Sequence, residues 1–325
     1  SHKIKSGLLL DSDFLKPQAF HQQPITRSGG IAVLFSLLIF FGIYYLLFSK
    51  ILYDYIFLSS SIFLIGFLDD LKINITPFKR LLAMIITLFL FVYFFQLEIL
   101  HIDLVFLKSI TNNHFLASIF VLLCFLFIIN GSNLIDGFNG MLTIHLIIIN
   151  SILTYINLEN SNLELSFILI GQIIILFSFL LFNFPSAKIF LGDGGAYLLG
   201  SLIAFNVITT NNLYTNISSF FYCTLLFYLF FEVFFSFFRK LYCRKSPFYP
   251  DDSHLHMLSF YKISNVYGKE KGNFLNSIII NIGYLILILP GVYFLDNPNF
   301  CRYWFFMLLL IYMFIYSRLY RLTKN

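Results

Sequence analysis

The sequence predicts an all-α protein, a polytopic bundle of transmembrane helices, on three observations. Of 325 residues, 59% are hydrophobic and only 11% charged, with a mean hydropathy of +0.84, far from the balance of water-soluble domains. Apolar windows of bilayer length recur along the chain, and in lipid such windows must be helical because every backbone group has to be paired internally. Lys and Arg gather on alternate linkers, as the positive-inside rule expects of a multi-pass chain.

A span needs about 20 mostly apolar residues. Windows of that kind read, in order, as 29–48, 51–68, 81–97, 115–133, 141–157, 164–183, 195–210, 217–238, 274–295 and 302–320, about ten spans. The first follows a polar opening, residues 1–24, which lacks the apolar core of a signal peptide. Because the chain starts at Ser1 and not at Met, a further helix upstream is expected, making about eleven in the full-length protein. The second window ends in Asp69-Asp70, the third begins after Lys79-Arg80, and the fourth runs into Asn130, Asn133 and Asp136. The seventh follows a Gly-Asp-Gly turn, and the ninth follows the longest polar loop, 239–273.

Alternate linkers place residues 1–28, 69–80, 134–140, 184–194, 239–273 and 321–325 on one face; the opposite face keeps only Lys50, Lys108 and Arg302 of the 21 Lys and Arg. The basic face is therefore read as cytoplasmic. The same topology accounts for the net charge of +5, and so few charges cannot form the extended basic surface a nucleic acid requires. Cys124, Cys223, Cys243 and Cys301 show no pairing or metal-type spacing and are expected to be buried small hydrophobes without disulfides. No repeat or long linker divides the chain, so a single integral membrane domain is predicted.

Carboxylates inside or beside membrane helices are costly and invite a functional reading. "GFLDDLKIN", 66–74, ends an apolar run in two acids that point about 100° apart on a helix, so that one can face a groove and the other its mouth. Simple termination at the water interface is the bland alternative, weakened because acids oppose the dipole at a helix C-terminus. In "NGSNLIDGFNGM", 130–141, Asn130, Asn133 and Asp136 recur every three residues and line one helical face; a polar helix contact followed by a glycine turn is the alternative. "IFLGDGGAYLLG", 189–200, sets Asp193 among glycines at a helix start, where free N–H groups beside a carboxylate suit a phosphate with a divalent cation. In the loop 239–273, His254 and His256 alternate near Arg239, Lys240, Arg244 and Lys245. Tetrahedral zinc wants three or four N or S ligands, and Cys243 is the only thiol in the loop; histidines next to lysines and arginines suit anion recognition better. Together, acids for Mg²⁺, bases for phosphate and a membrane location for a lipid point to phosphoryl transfer at the cytoplasmic leaflet.

These stretches, with "SPFYPDDSHLHML" and the opening "HQQPITRSGGIAV", resemble in order and spacing the cytoplasmic motifs of the polyprenyl-phosphate N-acetylhexosamine-1-phosphate transferases. The resemblance covers nearly the whole chain. It implies transfer of a sugar 1-phosphate from a UDP-N-acetylhexosamine to undecaprenyl phosphate or a similar polyprenyl phosphate, with release of UMP and use of Mg²⁺ or Mn²⁺. It further implies a bacterial inner membrane location, an active site built from loops 69–80, 130–140, 184–195 and 239–273, and homodimers. By position, it assigns Asp69 and Asp70 to the attacking lipid phosphate, Arg80 or else Lys79 to the phosphates, and Asp193 with Asn133, Asn130 in support, to the metal. Phe190 falls where an aromatic stacks on uracil, Asp136 and Asn139 where the nucleotide pocket is lined, and His254 and His256 where the sugar-phosphate is met.

Two departures bear on the donor: Met257 replaces a third histidine of the peptidoglycan-precursor branch, and Met84 stands where many relatives carry Gln. The form is similar to the branch that starts O-antigen, enterobacterial common antigen or teichoic acid with GlcNAc or a related sugar. The UDP-MurNAc-pentapeptide transferase is the alternative within the family. A transporter, the rival from another class, predicts midplane acids in two related halves; here the acids crowd one face.

Overall fold

The computed structural model describes residues 9–11, 24–73, 75–107, 112–244, 246 and 251–324. Most of the polar opening, His21 of the first motif, Lys108, Lys245 and 247–250 of the histidine motif lie outside the described residues. The described chain is helical, apart from a two-residue antiparallel pair of β1 (Leu10–Asp11) with β2 (Ile25–Thr26). Each predicted window falls on a helix: α1 (Gly29–Phe48), α2 (Tyr53–Asp70), α3 (Pro77–Phe95), α4 (His114–Ile135), α5 (Met141–Glu159), α6 (Leu163–Asn183) and α7 (Gly192–Leu213). They continue with the pair α8 (Ser219–Leu225) and α9 (Phe227–Tyr242), then α11 (Lys269–Tyr293) and α12 (Pro298–Lys324). The element not foreseen is α10 (Leu255–Tyr267), inside the predicted loop 239–273.

Among the described residues, seven helices are by themselves long and apolar enough to cross a bilayer, and the bent pair α8–α9, turned by 72°, makes an eighth. The remaining two windows are α2, which carries three acids, and α7, whose amides and glycines lower its hydropathy. These two pack most closely on one another, with α4, α1 and α5 also against α7. Most of α7 is buried, so protein and not lipid surrounds its polar groups. Lipid-type surface is left to helices such as α1 and α3, whose Phe35, Leu46 and Tyr93 are exposed.

Local chemistry sets the helix starts. Thr76 caps α3 by accepting Lys79 N–H with Pro77 in the first turn, while Asn113 and Asn162 cap α4 and α6. Main-chain bonds from Phe190 to Thr26, Gly29 to Phe190 and Gly30 to Leu191 fasten the start of α1 to the turn before α7. This joint places Arg27 beside the ends of α2 and α7. The cysteines are all free, as expected, but Cys223 and Cys243 are exposed and only Cys301 is fully buried; at the surface of a membrane bundle an apolar window does not by itself imply burial in protein.

Candidate active site

Asp69 and Asp70 end α2, where unpaired carbonyls disfavour negative charge. The neighbouring start of α7 reverses that balance. Asp70 accepts the N–H groups of Asp193 and Gly194 at 3.0 and 2.9 Å, so its carboxylate rests on the positive end of α7, with Arg27 Nη1 3.6 Å away. Two glycines permit the approach. A Cβ on Gly66 would stand 2.5 Å from the Asp193 carbonyl oxygen, and one on Gly192, where φ is +77°, would stand 2.6 Å from Asp70 Oδ2. The expectation of free N–H groups for a phosphate at this turn is thereby corrected: those of Asp193 and Gly194 are taken by Asp70.

Asp70 is buried and Asp69 is 34% exposed, the groove-and-mouth division expected of adjacent helical acids. Arg80 Nη1 joins Asp69 at 2.8 Å to Asp193 at 3.1 Å, and its guanidinium lies 5.7 Å over the Tyr197 ring. Lys79 is exposed, its backbone bonded to Thr76; of the two basic candidates, Arg80 is the one at the acids.

Asn130 donates to the Leu126 carbonyl of its own helix, whereas Asn133 Nδ2 reaches to 3.5 Å from the Tyr197 hydroxyl. Asp136 caps α4, and burial followed by the charges of Asp193 and Asp70 pushes its carboxyl well above the usual range, with Arg27 opposing. The Asn139 side chain donates to the Pro185 carbonyl, while its backbone N–H meets Asn273. Phe190 is half-buried on the joint with α1.

His254 and His256 form a second centre. His254 caps α10 in extended geometry and His256 lies in the first turn, yet their rings are parallel within 10°, centroids 5.5 Å apart. Both are buried; Glu232 of α9 holds His254 at 3.0 Å and stands 3.7 Å from His256, whose Nδ1 meets the Tyr228 hydroxyl. Burial would raise the nearby Asp251 carboxyl, but His254 and Arg239 hold it below the usual range. The edge of Phe138, two residues after Asp136, meets His256 at 5.9 Å. The α4–α5 turn thus links the two centres; no contact among the described residues joins either histidine to Asp69, Asp70 or Asp193.

Arg27, Tyr197 and Glu232 were not assigned from the sequence. Glu232 carried a signal, a lone acid inside the apolar window 217–238; Arg27 and Tyr197 acquire significance only through their neighbours. A cavity of about 450 Å³ lined by Lys50, Asp54 and Glu164 opens at the other end of α2 and α7, roughly 20 Å away by helix rise, and lies apart from these centres.

The donor set suits a divalent cation. Asp69, Asp70, Asp136 and Asp193 outnumber Arg27 and Arg80, and Asp136 has neither hydrogen bond nor ion pair among the described residues. No group of three or more His, Cys, Asp or Glu is gathered for a metal among those residues, which is compatible with Mg²⁺, since that ion is held by one or two carboxylates with water and substrate phosphates.

Carboxylates and guanidinium groups thus meet at one end of a polytopic helical membrane bundle, an arrangement chemically able to engage phosphates. Residues 52–211 match the model of glycosyl transferase family 4, a span that takes in both aspartate pairs of the centre, Asp69-Asp70 and Asp136 with Asp193. The chain is 27% identical over 244 residues to an undecaprenyl-phosphate alpha-N-acetylglucosaminyl 1-phosphate transferase of Thermotoga maritima, 75% of this chain and 70% of that one. It is 29% identical to a phospho-N-acetylmuramoyl-pentapeptide-transferase of Streptococcus sanguinis, over 62% of this chain and 65% of the relative. The enzyme of that name from Dictyoglomus turgidum is 34% identical over 45% and 49%. Over residues 52–211 the chain is similar to glycosyl transferase family 4, and it is a transferase enzyme.

Proposed function

We propose that the chain transfers an N-acetylhexosamine 1-phosphate, GlcNAc or a related sugar, from its UDP derivative to undecaprenyl or a similar polyprenyl phosphate, at the cytoplasmic face of a bacterial inner membrane. The observation that carries this reading is the convergence of Asp69, Asp70, Asp136 and Asp193 with Arg27 and Arg80 where α2 ends and α7 begins. The GlcNAc donor is favoured over the muramoyl-pentapeptide because the Thermotoga relative matches a longer stretch than the pentapeptide transferases described above.

In the proposed step an oxygen of the lipid phosphate attacks the β-phosphorus of the UDP-sugar. A P–O bond forms to the lipid phosphate, the bond to the α-phosphate oxygen breaks, and UMP leaves with that electron pair. Asp69, open at the mouth, orients the lipid phosphate or accepts its proton. Arg80, held by Asp69 and Asp193 and backed by Tyr197, presents positive charge to the diphosphate. Asp193, with Asp136 and Asn133, would hold Mg²⁺ or Mn²⁺, which when bound offsets the charge of the leaving UMP.

The test is UMP release by purified protein in detergent with undecaprenyl phosphate and a panel of UDP-N-acetylhexosamines. Lipid- and Mg²⁺-dependent release names the sugar; a folded protein that releases no UMP from any donor overturns the reading and returns the transporter.

A further inference from the structure

Glu232 lies within α9 with its side chain 1% exposed, where an ionised carboxylate is costly unless partners compensate it. Its partners are specific. Oε2 lies 3.0 Å from His254 Nδ1, and Oε1 accepts the Leu255 N–H at 3.2 Å and stands 3.7 Å from His256 Nδ1. The Tyr228 hydroxyl lies 3.4 Å from His256 Nδ1. One carboxylate therefore occupies the Nδ1 side of two stacked imidazoles. The Nε2 atom of His254 is buried and makes no hydrogen bond; Asp251 Oδ1 is 3.5 Å from it. Buried polar atoms without a bond are rare, and one on a ring fixed so firmly at its other nitrogen is accounted for when an incoming group completes it.

We propose that Glu232 is a positioning residue of the transfer: it accepts the Nδ1–H of His254, fixing the ring beside His256 so that an Nε2–H of the doubly protonated ring is aimed to donate to a phosphate oxygen of the donor. The inference rests on the transferase reading and adds a residue outside the histidine motif. Charged and titratable groups facing His254 come from every neighbouring element: Glu232, Tyr228, Arg239 and Lys240 of α9, Asp251 and His256 of its own segment, and Tyr312 and Tyr316 of α12. Of these, Glu232 makes the shortest contact, 3.0 Å from His254 Nδ1.

Glu232→Gln keeps the side-chain size and removes the charge. Expected are a fall in kcat of about 10- to 100-fold, the size of effect found when a carboxylate that orients a metal-bound histidine is removed, and a little-changed donor KM. Added to His254→Asn, the same change should cost nothing further, because it acts through that ring. A Glu232→Gln enzyme with unaltered kcat, or losses that multiply in the double variant, would overturn the proposal. Nitrogen NMR of histidine-labelled protein reads the His254 ring directly. If the wild type releases no UMP but the variant moves the His254 Nδ1–H signal, the function fails and the positioning stands; an unmoved signal sinks the positioning whatever the activity. Glu232→Asp, with the carboxyl drawn back by one methylene, supplies the same readouts if Glu232→Gln does not fold.

Discussion

The two ends of α7 are both polar and both packed inside the bundle, yet they differ in charge and access. At its start Asp193 and Arg80 are 22% and 20% exposed, and the charges around them do not cancel. Farther along, Asn206 is fully buried and bonded to Tyr55, Gln172 and Asn150, and Thr210 to Asn157. Neutral amides paired with one another are ordinary helix packing in a membrane, worth on average about 0.6 kcal/mol per interaction. Charges kept open to water and left in surplus are poor packing and good chemistry. Within membrane helices, polarity alone is therefore a weak sign of a site; unbalanced charge with access is a strong one.

The comparison can be broken most directly at Asp193. Asp193→Asn should lower UMP release by roughly 10³-fold or more, in line with the loss of a group that acts on the reacting phosphates, while the melting temperature in detergent stays near wild type. Chelation by EDTA should stop turnover, with recovery on adding Mg²⁺; turnover that persists after chelation would remove the cation from the scheme. Arg80→Lys keeps the charge but cannot span Asp69 and Asp193 with a planar fork, and steady-state kinetics should show a loss of about 100-fold. At Gly192 the effect passes from chemistry to folding: Gly192→Ala meets both the positive φ and the Asp70 carboxylate, and thermal unfolding should show a cost of about 1–3 kcal/mol. Smallest of all, Asn206→Leu should move stability by about 1 kcal/mol or less and leave kcat unchanged. A large loss of activity there would show that the two ends of α7 are not separate in role.

Much of the fold is legible in the residues, because lipid leaves a spanning chain few options. The windows 29–48 and 164–183 coincide with α1 and nearly so with α6. The helix α10 was hidden because "LHMLSFYKISNVY" is short, mixed in character and surrounded by basic residues. It stays helical through docking on α11 and α12, a tertiary effect that local pattern does not carry. At the site, Asp69, Asp70 and Asp193 were visible as acids where acids are expensive. Their arrangement was not: that Asp70 would consume the N–H groups at Asp193 and Gly194 depends on how closely α2 approaches α7, which Gly66 and Gly192 permit but do not announce.

What this sequence by itself determined is its solvent and its helical class. Apolar length demands a bilayer and the bilayer demands helices, both from terms that are local or additive along the chain. Only the tertiary structure decided which charges meet. Arg27, Arg80, Asp70 and Asp193 lie as far as 166 positions apart in sequence between Arg27 and Asp193, and Glu232 finds His254 22 residues away. Electrostatic energy depends on separations of a few ångströms and on local burial, and those quantities exist only once the helices have packed.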